Sequence, residues 1–317
     1  MEVLQVGKGM HMYYMNAFGI LGLREAADAA QSLGRTEDYR LFAGQAADLT
    51  SSLRASFART FKRTGLYDEH LWFGVEPEGV GMYGFWAHCC LLWPCRALEP
   101  HDPMIEATWR RLERMSRDWG GGLFSEAQGG YWPYIGVDWA LSYILRGEPD
   151  RALDYFCAYV DKAGGTFSWG EGYGNAMAAG DQSHIWADAQ YVNLFRHLFA
   201  MENGSTLLLT PALFRRWHQG ERRILLRGLP THFGELDLSI QPTRTGDQLN
   251  YGFRITPRGD QAQRELSRLV LYPRSAGGRP IDAVSVDGKP ATAFTDAVVI
   301  IPGPDRGREI KVTVKLR

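Results

Sequence analysis

Glu171 is the side chain of this sequence best suited to chemistry. It stands in Phe167-Ser168-Trp169-Gly170-Glu171-Gly172-Tyr173-Gly174, where glycines and aromatics surround one carboxyl group on a loop. Such a group serves as an acid when protonated and as a base when ionised. Its bland alternative is a helix cap or an arginine partner. Cleavage of a glycosidic bond needs two carboxyl groups on opposite sides of the scissile oxygen, about 5–5.5 Å apart for retention and about 6.5–9.5 Å for inversion. Candidate partners sit on two other glycine-rich loops: Glu126, and Asp68 and Glu69 in Tyr67-Asp68-Glu69-His70-Leu71-Trp72, with Glu76 and Glu78 beyond them. Glu126 closes Gly121-Gly122-Leu123-Phe124-Ser125-Glu126, which echoes Gly164-Gly165-Thr166-Phe167-Ser168 about 43 residues on. Self-similarity at that period indicates repeated hairpins.

Around these carboxylates lie groups that could hold a ligand. His184 and Trp186, in Asp181-Gln182-Ser183-His184-Ile185-Trp186, open a helix whose first N–H groups are free to bond. Trp72, Trp132, Trp169 and Trp186, with Tyr173, are candidate platforms for the C–H faces of sugar rings. Each tryptophan taken singly is more often a core residue. His184 with Tyr173 could instead abstract a proton, the chemistry of a lyase or epimerase.

Positioning falls to the elements between the loops. The periodicity predicts helices at 10–33, 36–62, 80–98, 103–117, 132–146, 149–162 and 182–202. Tight connections at Gly34, at Leu98-Glu99-Pro100-His101-Asp102-Pro103 and at Gly147-Glu148-Pro149-Asp150 alternate with long ones at 64–80, 118–131 and 164–182. Antiparallel helices joined by tight turns at one end must carry every other connection at the opposite end, so the carboxylate loops should share a rim. The expected fold class is mainly α, an (α/α) toroid or part of one over residues 1–203, followed by a separate all-β domain, a sandwich, at 204–317. Strands are expected at 206–210, 222–227, 235–241, 248–256, 266–273, 284–286, 296–301 and 309–316, with Asp287-Gly288 as a hairpin turn. No catalytic cluster is apparent there.

The chain has 317 residues, 45% of them hydrophobic, and a formal net charge of −1. It carries no basic field for nucleic acid or an anionic membrane, so neither is an expected partner. No run approaches the roughly 20 apolar residues of a membrane span, and no leader pattern precedes the first helix, which makes the cytoplasm the default location unless the chain is N-terminally truncated. Its four cysteines lack metal-type spacing and read as small core residues; no metal or other cofactor is called for.

Taken in order, these features resemble the six-hairpin, (α/α)6-barrel glycoside hydrolases, particularly the α-L-rhamnosidase-like group with its C-terminal β-sandwich. The resemblance runs through Thr166 to Glu171, Ser183-His184-Ile185-Trp186-Ala187, Leu207-Leu208-Leu209-Thr210-Pro211 with Trp217, and Leu229-Pro230-Thr231-His232-Phe233-Gly234. It implies a carbohydrate substrate, no metal, and Glu171 as the base of an inverting hydrolysis. A six-hairpin barrel has twelve helices, and the hairpins where the family's general acid resides are not represented here. A missing N-terminal half or a second copy would then cover the open toroid. The alternative to a hydrolase is a non-catalytic carbohydrate-binding remnant.

Overall fold

The computed structural model describes residues 13–64, 90–103, 105–106, 109–110, 113, 124–125, 130–131, 133–174, 183–220, 222–258 and 264–317. The chain forms two compact units, Met1–Leu194 and Phe195–Arg317, a helical part followed by a β part.

In the helical unit, α1 (Tyr13–Ser32) and α2 (Thr36–Thr64) form an antiparallel hairpin. Ala17, Ile20, Ala27 and Ala30 recur at helical spacing and are buried, as are Ala46, Leu53 and Phe57 of α2. The turn ends α1 in a Schellman arrangement: the Arg35 N–H donates to the Ala30 carbonyl (2.8 Å) and the Gly34 N–H to that of Gln31 (3.0 Å). Gly34 supplies the required left-handed residue, φ +69°.

The next described hairpin, α3 (Pro133–Leu145) and α4 (Pro149–Asp161), closes by the same device. Glu148 N–H donates to Tyr143 (2.9 Å) and Gly147 N–H to Ile144 (3.1 Å), with Gly147 at φ +72°. Two hairpins thus share one turn chemistry, at the tight connections expected at Gly34 and Gly147. Every residue of α3 from Pro133 to Ile144 is buried, the signature of a helix packed on several sides. Gly136 makes that packing possible, because a methyl group there would overlap the Tyr155 ring and hydroxyl. Tyr155 is itself fixed, 1% exposed and donating to the Pro133 carbonyl (2.7 Å). Gly136→Ala is expected to destabilise the helical unit by about 2–3 kcal/mol, measured by urea denaturation.

Two of the three tight connections meet, those at 98–103 and 147–150. Buried Arg146 at the end of α3 donates to the Pro100 carbonyl (2.5 Å), pairs with Glu106 (2.7 Å) and with Glu148 (3.1 Å), and lies over the Trp109 ring. Cys90 and Cys95 are buried, and burial pushes the Cys95 thiol up to about 12, where it is inert. Cys157 departs from the core expectation: it lies on the exposed side of α4.

The last helix, α5 (Ile185–Phe199), ends short of the predicted 202. Ala200–Asn203 instead forms β4, which pairs antiparallel with β5 (Thr206–Leu209) across Gly204, φ +60°. β4 and β5 join β9 (Arg268–Leu271) and β12 (Val299–Pro302) in a four-stranded sheet. A six-stranded sheet runs β11 (Lys289–Ala291), β10 (Ile281–Val286), β13 (Ile310–Leu316), β8 (Gln248–Thr256), β7 (Gly234–Pro242), β6 (Ile224–Thr231). The Asp287-Gly288 hairpin is as predicted, both residues left-handed (φ +50° and +77°). Leu236, Leu238 and Ile240 of β7 and Leu249, Tyr251, Phe253 and Ile255 of β8 alternate into the core. Among the described residues, no helix is long and apolar enough to cross a membrane.

His218 is buried in this β unit, its Nδ1–H donating to the Arg274 carbonyl (2.6 Å), while its Nε2 has no partner among the described residues. Burial, with Arg274 and Arg215 nearby, lowers its pKa from 6.5 to about 4. The folded state therefore resists a proton that the unfolded state accepts. Stability is full above pH 6.5 and falls by about 3 kcal/mol as pH drops to about 4. His218→Gln should flatten that decline in urea titrations of the full chain.

Candidate functional site

The loop between α4 and α5 is pinned from three directions. Asp188, in the first turn of α5, accepts from the Ser168 hydroxyl (3.0 Å) and from the Trp169 N–H (3.0 Å). An acidic residue is favoured there by the helix N-terminus, so one carboxylate steadies both the helix and the loop. The Trp169 indole N–H donates to the Tyr159 carbonyl of α4 (2.6 Å), and the His184 N–H donates to the Trp169 carbonyl (2.9 Å). Farther on, the Gly170 N–H donates to the Tyr173 hydroxyl (3.0 Å), which donates in turn to the Lys162 carbonyl (2.9 Å).

A small sheet ties this loop to its neighbour. β1 (Phe124–Ser125) pairs with β2 (Gly130–Tyr131), and β2 pairs with β3 (Tyr173–Gly174), Tyr131 opposite Tyr173. The described parts of two long connections therefore meet, opposite in kind to the tight turns joined by Arg146. Ser125, immediately before Glu126 in the chain, is in β1. Glu126, Asp68, Glu69, Trp72 and Trp132 lie outside the described residues.

Glu171 is partly exposed, and among the described residues its carboxylate takes part in no hydrogen bond or ion pair. Its flanks are fixed, while no described residue pairs with its carboxyl group. His184 immediately precedes the first residue of α5, its ring 5.0 Å from that of Tyr134, and its Nδ1 is buried with no partner among the described residues. Trp186 is 44% exposed and leans on Tyr134 at 4.5 Å, leaving an open aromatic surface beside His184.

Two sequence candidates land elsewhere in role. Trp169 is 1% exposed and stacks on Tyr191 at 4.8 Å, so it is a wall of the core beneath the loop and not an open platform. The Tyr173 hydroxyl is engaged as both acceptor and donor, which makes it a staple of the loop and a poor proton acceptor from a ligand. Sequence reasoning passed over Asp188, Tyr134 and Tyr191. Asp188 had a signal, an acidic residue in a first helical turn after a glycine-rich loop; the tyrosines had none beyond helical periodicity. No group of three His, Cys, Asp or Glu among the described residues is arranged to hold a metal ion.

A scan against protein-family profiles finds no match, and a search of curated proteins finds none. Solved structures do resemble the chain. One described as a wild-type glycosidase is 16% identical, with a TM-score of 0.45, covering 59% of this chain and 52% of its own. A GH127 β-arabinofuranosidase is 10% identical at a TM-score of 0.41, covering 96% of this chain and 59% of its own. A GH127 β-L-arabinofuranosidase from Geobacillus stearothermophilus T6 is 10% identical at 0.36, covering 74% and 41%. The chain spans about half the length of these structures. They are glycosidases, though the two of named activity are not α-L-rhamnosidases, and likeness at these scores assigns no role to particular residues.

Proposed function

We propose that this chain carries the base side of a glycoside hydrolase site, with Glu171 activating water for inverting cleavage of an oligo- or polysaccharide. The reading rests on one observation: a partly exposed carboxylate, uncommitted among the described residues, on a loop whose backbone is fastened at Ser168, Trp169, Gly170 and His184. A carboxyl group on a fixed loop, unpaired among the described residues, suits a base, since rigid placement removes the reorganisation otherwise required in the transition state. Glu171 would take a proton from water attacking the anomeric carbon as the glycosidic oxygen leaves with a proton from a second carboxyl group. Glu126 is the partner favoured here, because its neighbour Ser125 belongs to the sheet that holds Tyr173. Trp186 would offer an apolar face, and His184, whose Nδ1 is buried, would meet a sugar hydroxyl through its other ring nitrogen. The helices of this unit are read as part of an (α/α) toroid.

The test is hydrolysis of 4-nitrophenyl α-L-rhamnopyranoside, β-L-arabinofuranoside and β-D-xylopyranoside, with the anomer of the first-formed sugar followed by NMR. Release with inversion supports the reading. Release of an unsaturated or epimerised product would replace it with a lyase or epimerase. Binding of these glycosides without release would leave a carbohydrate-binding module.

A further inference from the structure

Phe167 occupies a backbone position that a bulky side chain fills only under strain. Its N–H donates to the Gly164 carbonyl (2.9 Å), and the Gly164 N–H donates to the Ser168 carbonyl (2.8 Å), the bonding of a tight turn closed by a left-handed residue. Phe167 is that residue, at φ +57°. Glycine is the usual occupant, because a Cβ in this conformation crowds the following carbonyl. A second cost adds to the first: Phe167 is 55% exposed. It meets Trp169 and Tyr191 edge-on, with centroids 5.1 and 5.2 Å away, contacts that leave more than half of the residue in water. Trp169 beneath it is also covered by the stack with Tyr191 and by Tyr159.

Local strain beside a functional group is grounds for inferring function from the outlier. We propose that Phe167 is a substrate contact of the Glu171 site, its open ring receiving the apolar C–H face of a sugar while Glu171, four residues on, faces the bond to be cleaved. The ligand class is a saccharide ring with one face free of axial hydroxyls; planar aromatic carbon gains from such a face without leaving polar groups unpaired. This inference rests on the carbohydrate reading above and adds to it a residue that decides which sugar fits.

The experiment uses the full chain as wild type, Phe167→Gly, Phe167→Leu and Glu171→Gln. Each is titrated calorimetrically with methyl α-L-rhamnopyranoside, methyl β-L-arabinofuranoside and methyl β-D-xylopyranoside, and melted in parallel. Phe167→Gly should melt within about 2 °C of wild type, relief of the left-handed strain offsetting the lost edge contacts. It should bind the preferred glycoside about tenfold more weakly. Phe167→Leu, which keeps apolar bulk but no flat face, should also bind weakly. A Phe167→Gly variant that melts about 5 °C lower with unchanged affinity makes Phe167 a cap on the core and overturns the proposal. If Phe167→Gly loses both stability and affinity, Phe167→Leu decides: recovery of both overturns the proposal, and recovery of the melting temperature alone supports it. If wild type and Glu171→Gln bind none of the three glycosides, the carbohydrate reading fails and this inference falls with it; if they bind and neither Phe167 variant differs, only the inference falls.

Discussion

Glu171→Gln is expected to lower kcat for glycoside hydrolysis by about a thousandfold while leaving affinity for the same glycoside within about threefold of wild type. The substitution keeps the shape of the side chain and removes only its ability to take a proton. Because the carboxylate makes no hydrogen bond or ion pair among the described residues, the variant should also melt with wild type. Those readouts together separate a base from a structural carboxylate. A structural Glu171 would give a lower melting temperature with kcat unaffected, and a variant within tenfold of wild-type turnover would remove Glu171 from the mechanism. Each anchor of the loop hydrogen-bonds to backbone or to Ser168, so none of them depends on the Glu171 side chain. The loop should therefore survive the exchange.

Arg196→Met is expected to cost the β unit about 3–5 kcal/mol, read from urea denaturation of the full chain. Arg196 grips Glu202 with both terminal nitrogens (2.5 and 2.6 Å) and reaches the Pro230 carbonyl (2.8 Å); Glu202 also accepts from the His232 N–H (3.2 Å). Glu202 is 4% exposed. Removing the guanidinium leaves a buried carboxylate short of its main counter-charge, a greater loss than the pair's own net worth. The double replacement Arg196→Met with Glu202→Leu should recover much of it, because desolvation is then no longer charged to an ion. Acid provides an independent check. Burial raises the Glu202 pKa, but hydrogen bonds and charge from Arg196 outweigh it and hold the carboxyl at about 2, below its ordinary 4.5. The resulting stability is complete above pH 4.5 and declines by about 3 kcal/mol as pH falls towards 2. In Glu202→Leu that low-pH decline should be absent, whereas the separate decline between pH 6.5 and 4 assigned to His218 should persist. A single unchanged acid transition in Glu202→Leu would show that the ion pair contributes nothing.

Much of the architecture was legible because it depends on neighbours close in sequence. Gly34 and Gly147 end helices where only a left-handed residue closes the last carbonyls, and Asp287-Gly288 has the conformational freedom that a two-residue hairpin demands. Pro133–Ile144 carries few polar side chains, Asp138 and Ser142 among them, and is buried along its whole length. The end of α5 was less legible. Phe199-Ala200-Met201 continues a helical apolar pattern, yet Ala200–Asn203 is drawn into a ladder with Thr206–Leu209, a pairing created by residues beyond the Gly204 turn. Extra strands beyond the expected eight, β4 and β11, arise from such pairing.

The site divides along the same line. Residue order alone puts a carboxylate among glycines and aromatics on a loop between two helices, and the start of the second helix near His184 and Trp186 beside it. Which aromatics are open follows from packing: Trp169 is buried against Tyr191 and Tyr159, while Phe167, two residues away, touches both Trp169 and Tyr191 by an edge and keeps more than half of itself in solvent. The tertiary structure also decided that Asp188 anchors the loop and that the Tyr173 hydroxyl is consumed by backbone. The physical reason is that residue type and spacing set the conformations a short segment can adopt. Exposure and hydrogen-bond partnership, by contrast, depend on atoms brought together from distant parts of the chain.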